Sequence, residues 1–284
     1  MKVIFNHTFV AICVSIALFG VVNAQKSNNK YPKLTVDDVL KKHIASIGTP
    51  EDIAAANTRI FMGSGRFTSK IGYIGQLDAT VQMASNGDRV LLALVFNSPD
   101  YQYEKFGFDG KDVTVGLPGG VTDVGAFIKS NKGILRKGLF GGSLSSTWPL
   151  LDTKTNLKFE YGGIVEVGNR PAYKLRLATG TIGDLATSLY FDAETFQHVM
   201  TEYKLTESAP MGGKIIDASQ TPTYRSLTER FSGFTKASKI VLPTVYVMEY
   251  TISDGYGTIS ETFSMKFTEG YFDQKIEDSV FRVS

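Results

Sequence analysis

From residue 58 onward the chain is a succession of alternating apolar and polar runs, each closed by a turn signal such as Asn86-Gly87-Asp88, Asp109-Gly110-Lys111 or Gly168-Asn169-Arg170. Asn-Gly and Asp-Gly supply the backbone angles that tight hairpins need, so signals repeated in this way build one large antiparallel sheet. In the run Gln76 to Met83, Leu77, Ala79, Val81 and Met83 alternate with polar residues, which marks a half-buried strand with one dry face. Further strands are predicted at 89–96, 101–108, 112–116, 157–167, 171–178, 186–192, 197–206, 224–234, 243–252 and 258–268. That makes ten or eleven strands and a mainly β (α+β) chain. What the sheet hides its apolar face against is the functional question.

The first residues read as an export signal. Lys2 gives a positive end, Phe9 to Val22 is an apolar run of signal-peptide length, and Val22-Asn23-Ala24 offers small residues for cleavage. The run is short for a membrane span, so residues 1–24 are expected to leave and no transmembrane span is expected in the mature chain. Cys13, the only cysteine, lies inside this run. A mature chain without cysteine depends on its core rather than on disulfides, has no thiol chemistry, and with only His43 and His198 offers no nitrogen and sulfur metal site. No cofactor or metal is expected. The formal charge of the whole chain is +2, a near-balance that argues against nucleic acid as a partner.

Residues 25–33 are polar and end in Tyr31-Pro32, a flexible lead-in; 34–284 is expected to be a single domain, acting as a monomer. Thr35 caps a helix whose first turn holds Asp37 and Asp38, and Val36, Val39, Leu40, His43, Ile44 and Ile47 recur at helical spacing. Gly48 stops it. Thr49-Pro50-Glu51-Asp52 starts a second, short helix. The strands are interrupted once, at residues 122–152. There Val124, Phe127 and Ile128 keep helical spacing, Gly133 is expected to end the helix, and Ile134, Leu135, Leu139 and Phe140 follow beside glycines that let the backbone bend. Trp148, the only tryptophan, precedes Pro149. A helical, glycine-flanked insert of this kind is a natural cover for a curved sheet.

Motifs for catalysis fail on inspection. His198 and Glu202 share a strand face by their even offset, but two strand repeats, roughly 13 Å, separate them. Ser143 follows two glycines, yet Ser145 stands where a nucleophile elbow needs glycine. The glycines at 116, 119 and 120 lack the Lys and Ser or Thr of a phosphate loop. Tyr101, Tyr103, Phe106 and Phe108 suit a ligand cavity or simply a core, since strands favour aromatic residues.

Four stretches carry a resemblance: the capped helix ahead of the first strand; Phe108-Asp109-Gly110-Lys111; Leu189-Tyr190-Phe191-Asp192-Ala193-Glu194-Thr195 running into His198 to Tyr203; and Phe231-Ser232-Gly233-Phe234 leading to Val241-Leu242-Pro243. In this order they resemble the LolA-like group of periplasmic proteins, which includes the carrier that ferries lipoproteins to the outer membrane. The run Leu139 to Pro149 is similar to a subgroup of exported LolA-like proteins and differs from the carrier. The resemblance implies a curved antiparallel half-barrel with an apolar concave face under a helical lid, a periplasmic location, and binding of a lipid or lipoprotein acyl chain without catalysis. On that basis Leu77, Val81, Met83, Phe96, Phe106, Phe108, Phe127, Leu139, Phe140 and Trp148 are candidates to line the ligand site. In the carrier an arginine on an early strand bonds to the lid; Arg89 is the nearest positional match here, although an arginine beside a hairpin turn is ordinarily solvated. A lipid site need leave no motif, because each buried methylene contributes roughly 0.8 kcal/mol without any specific contact. The alternative reading is a cell-envelope sensor or protein-interaction module that uses the same half-barrel to meet an envelope protein partner.

Overall fold

The computed structural model describes residues 31–70, 75–116, 122–152, 155–208 and 221–283. The export signal with Cys13, and all but the end of the lead-in, lie outside the described residues. The first helix, α1 (Val36–Ile47), starts where the sequence says it should. The Thr35 side chain accepts from the Asp38 backbone N–H while the Asp38 carboxylate answers the Thr35 backbone, a reciprocal capping box. Val39, His43, Ile44 and Ile47 form its buried face. After Gly48, α2 (Pro50–Ala55) is capped by Thr49 and has Pro50 at its first position.

The strands β1 (Thr58–Ser69), β2 (Gln76–Asn86), β3 (Arg89–Phe96), β4 (Tyr103–Phe108) and β5 (Val113–Gly116) precede the insert. After it come β6 (Phe159–Val167), β7 (Arg170–Leu177), β8 (Ala186–Asp192), β9 (His198–Glu207), β10 (Thr223–Ser232), β11 (Thr235–Ala237), β12 (Ile240–Leu242), β13 (Val245–Asp254) and β14 (Gly257–Phe272). Twelve of these form one antiparallel sheet in the order β5-β4-β3-β2-β1-β14-β13-β10-β9-β8-β7-β6, and β11 with β12 forms a separate ribbon. The expected ten or eleven strands are therefore too few among the described residues. The ribbon strands are three residues each, too short to show a period. In β1 the glycines Gly63 and Gly65 replace two inward side chains and hide the alternation.

The sheet is curved and not closed: β5 and β6, consecutive in the chain apart from the insert, are its two edges and do not pair. Register fixes what faces inward. Phe61, Met83, Leu92 and Phe106 lie in one row across β1 to β4, and Gly63, Val81, Leu94 and Glu104 in the next. On the other half, Phe263, Met248, Glu229, Thr201 and Leu189 form a row across β14, β13, β10, β9 and β8. The outer face of β2 and β3 is also dry. Ala84, Leu91 and Ala93 pack against Ile276 and Phe281 of the C-terminal segment, which is pinned by Arg282 Nε donating to Asp109 Oδ2 (2.7 Å) and by the Val283 N–H donating to Thr114 Oγ1 (3.0 Å). Burial on both faces explains why β3 reads as a nearly continuous apolar run. The residues from Lys33 onward cluster as one compact unit, and among the described residues no helix is long and apolar enough to cross a membrane.

The insert contains α3 (Asp123–Ser130), capped by Thr122, and a second short helix, α4 (Gly133–Arg136). Gly133 thus opens a helix instead of ending one. The Asn131 side chain ends α3 by donating to the Phe127 carbonyl at 2.8 Å, a local stop signal that the more conspicuous glycine masked.

Candidate site beneath the insert

After α4 the chain turns through Gly138, Gly141 and Gly142, all with positive φ, into a 3-10 turn at Gly142–Leu144. Gly138 is required for a second reason: a Cβ there would stand 1.9 Å from the Thr147 carbonyl oxygen. These bends lay the insert flat on the inner face. Leu139, Phe140 and Leu144 are fully buried and Trp148 nearly so. The apolar floor of the half-barrel is filled by the insert's own side chains.

Most of the candidate lining residues are buried on this face, while Leu77 is only partly so. Phe106, Phe140 and Trp148 belong to one run of ring contacts that passes through Tyr246, Phe231 and His198, while Phe96 and Phe127 pack in clusters of their own. Phe106 meets Phe140 at 5.9 Å between ring centres, and Met83 packs at Gly141, leaving no room for a Cβ there. Phe96 joins Phe67 and Tyr101, Phe127 packs on Tyr250 at 5.2 Å, and Trp148 stacks on His198 at 4.5 Å. Phe108 lies in the same inward row as Val90 and Ser85.

Arg89 does not touch the insert. It pairs with Asp278 and lies over the Phe281 ring, on the C-terminal segment. The arginine that holds the insert is Arg59 on β1, fully buried. Its Nε donates to the Ala56 carbonyl (2.7 Å), and Nη1 donates to the carbonyls of Ser143 (2.6 Å), Leu144 (3.4 Å) and Ser145 (3.3 Å). All of its acceptors are neutral, and burial lowers its pKa to about 10.

Further polar ties hold the insert along its length. At its start, the Thr122 hydroxyl donates to the buried Glu104 carboxylate, which Tyr101 also meets. In the middle, the Gly141 N–H donates to Glu229 Oε1 (2.8 Å), whose carboxylate also receives the hydroxyls of Tyr246 (2.5 Å) and Tyr203 (2.9 Å). Towards the end, the Ser146 N–H donates to Ser85 Oγ (2.9 Å), and Trp148 Nε1 donates to His43 Nε2 (3.0 Å). His43 Nδ1 lies 3.0 Å from the Phe196 carbonyl, which only an N–H can satisfy. The His43 ring is therefore held neutral with its proton on Nδ1.

Burial raises the pKa of both Glu104 and Glu229 to about 7, with hydrogen bonds from their hydroxyl partners acting the other way. Burial lowers His43 to about 4 and pushes His198 well below its ordinary value. His198 and Glu202 prove to be on opposite faces. A bulge pairs Phe191 with His198 but Tyr190 with Met200, so Val199 drops out of the ladder and the even-offset rule fails. His198 turns into the core beside Trp148, and Glu202 turns out to meet the Tyr190 hydroxyl (3.0 Å).

The chain is similar in fold to solved LolA-like proteins. A LolA superfamily protein from Nitrosomonas europaea superposes with a TM-score of 0.45 at 12% identity, covering 88% of this chain and 99% of that one. A DUF1329 family protein from Desulfovibrio piger gives 0.47 at 11%, with 87% and 97% covered. A domain named for outer membrane lipoprotein sorting, from Vibrio parahaemolyticus, gives 0.46 at 9%, with 86% and 95% covered. No protein-family model and no curated protein matches the sequence.

Arg59, Glu104 and Glu229 share a signal that was present in the sequence. Each stands at the apolar phase of its strand: Arg59 two residues before Phe61, Glu104 two before Phe106, and Glu229 between Leu227 and Phe231. Among the described residues no group of three His, Cys, Asp or Glu is placed to hold a metal ion.

Proposed function

We propose that this protein binds, without catalysis, a hydrophobic molecule with a long acyl chain on the inner face of the half-barrel, and that the insert is the plug the ligand displaces. The observation that carries the reading is the chemical division at the middle of the insert: its side chains fill the apolar floor, while Arg59, Glu229 and Ser85 hold it by backbone atoms, the side-chain ties of Thr122 and Trp148 lying towards its two ends. Such ties can be broken and remade without altering the floor. Each large apolar side chain lifted out loses about 1.5–3 kcal/mol, so freeing Leu139, Phe140, Leu144 and Trp148 costs on the order of 10 kcal/mol. An acyl chain of a dozen or so methylenes at roughly 0.8 kcal/mol each offsets that amount. The apolar terms of plug and ligand are then comparable, and the ligand must in addition offset the ties to Arg59, Glu229 and Ser85 that displacement breaks. Export to the periplasm belongs to the same reading, since it places the protein between two membranes that hold such molecules.

The test is native mass spectrometry of protein purified from the periplasm, followed by solvent extraction and uptake of a fluorescent long-chain fatty acid. A stoichiometric lipid or acylated peptide supports the reading and names the cargo. Protein that arrives empty and takes up no probe overturns it, and capture of an envelope protein by that same preparation would favour the interaction-module alternative.

A further inference from the structure

A cavity of about 520 Å³ opens to solvent where α4 and the end of the insert meet the start of β6, and its walls include Arg136, Lys137, Lys158, Pro149, Leu157 and Asp152. All three cationic residues are exposed. Among the described residues none of them forms an ion pair. Arg136 has one long contact, from Nη2 to the Lys111 carbonyl at 3.5 Å, and that acceptor is neutral. Asp152, the one carboxylate residue in these walls, already has a partner. Three like charges round one cavity repel one another, and an anion brought among them is favoured. The cavity also stands at the root of the plug. Arg136 and Lys137 run directly into the bend at Gly138 where the plug begins, Pro149 follows Trp148 where it ends, and the Thr147 hydroxyl donates to the Gly138 carbonyl (3.4 Å) to bring the two ends together.

We propose that this cavity receives the phosphate headgroup of an anionic lipid whose acyl chain takes the place of the plug. The inference rests on the proposed exchange of plug for acyl chain and names the class of ligand that makes it. Arg136, Lys137 and Lys158 supply the positive charge. A phosphate suits them better than a carboxylate, because its three terminal oxygens can accept from an arginine fork and from two ammonium groups together. The space matches a phosphate with its glycerol, since small-molecule sites generally begin at about 300 Å³. Pro149 and Leu157 give the same walls an apolar part, and a head held there leaves its chain beside the segment that the chain must replace.

The experiment is calorimetric titration of the mature protein with myristoyl lysophosphatidic acid, with monomyristoylglycerol (the same chain without the charge) and glycerol 3-phosphate (the same head without the chain) as comparisons. Lysophosphatidic acid is expected to bind about tenfold or more tightly than either. Raising sodium chloride from about 50 to about 500 mM should weaken it and leave monomyristoylglycerol unchanged. The double variant Lys137→Gln, Lys158→Gln, which alters exposed side chains only, should bring lysophosphatidic acid down to the affinity of monomyristoylglycerol. Monomyristoylglycerol that binds as tightly as lysophosphatidic acid would overturn the headgroup site and leave acyl binding on the inner face intact. Glycerol 3-phosphate that binds as tightly as lysophosphatidic acid would make this a site for a free phosphate ester and overturn its link to the lipid. A double variant that keeps the wild-type preference would remove the lysines from the site. A folded protein that takes up neither acyl probe would overturn both this proposal and the acyl-binding function on which it rests.

Discussion

Arg59 and Ser143 stand 84 positions apart in the chain, and 2.6 Å separates the Arg59 Nη1 from the Ser143 carbonyl oxygen. Through that contact and its two neighbours, the strand that opens the sheet holds the segment that fills it. Arg59→Met removes the donor and strands several buried carbonyls, each worth about 1–3 kcal/mol when left unpaired, less the gain from removing a buried charge. Hydrogen exchange in residues 139–148 should rise by about a hundredfold. Arg89→Met breaks a pair whose Asp278 side chain is 84% exposed and should lower stability by less than about 1 kcal/mol, with no change in exchange at the insert.

Trp148 reports on the plug by itself, since it is the only tryptophan and is buried against His198. Adding a long-chain acyl ligand should shift its emission to the red as the indole leaves the interior. Trp148→Phe keeps most of the packing but leaves His43 Nε2 without its donor, and should destabilise the fold by about 1–3 kcal/mol in urea titration. Emission that stays fixed at saturating ligand would mean that the insert does not move.

Glu229 should make stability fall as pH rises. Its folded pKa of about 7 lies above the ordinary value near 4.5, so between those two values the folded state holds a proton that the unfolded state has released. Glu229→Gln removes that titration. The variant should therefore gain relative to wild type between pH 5 and pH 8, by an amount on the order of 3 kcal/mol at most. His43 acts in the opposite sense: held at about 4 in the fold, it withdraws stability as pH falls from about 6.5 toward 4, and His43→Gln should flatten the acid limb of the melting-temperature profile.

Two glycines with similar backbone angles should respond differently to alanine. At Gly168, with φ 56°, no atom lies within 4 Å of an added Cβ, so only left-handed strain of about 1–2 kcal/mol applies. At Gly138, with φ 70°, the Thr147 carbonyl must also move. Gly138→Ala should cost at least twice as much by urea denaturation, and equal losses would show that the bend is not fixed.

Local chemistry made much of this legible. Thr35 with Asp38 and Thr49 with Pro50 announce both helices to within a residue or two, and the turn dipeptides set most of the hairpins. The site was harder to read for a physical reason. A charged residue in an alternating run belongs by default on the wet face, and this masks Arg59, Glu104 and Glu229 although their phase matches Phe61, Phe106 and Phe231. Arg59 and Glu229 are satisfied by insert atoms more than 80 positions away, and Glu104 by Thr122 at the start of the insert; the period of one strand contains no information about such partners. The bulge at Val199 shows the same limit: one unpaired residue reversed the side on which His198 falls, and nothing in the composition of β9 marks it.

The pairing of β1 with β14 in mid-sheet also bears on the order of assembly. Strands β1 to β5 form one run of nearest-neighbour hairpins, and β6 to β14 form another interrupted only by the small ribbon. Each can zip up from short-range contacts, whereas joining them requires closing almost the whole length of the chain, the slowest kind of contact to make. Arg59 sits on that seam. A version of the chain relinked from β14 to β1, with new ends cut inside the insert, would be a single meander that folds without the long closure, but it would be born with its plug in two pieces.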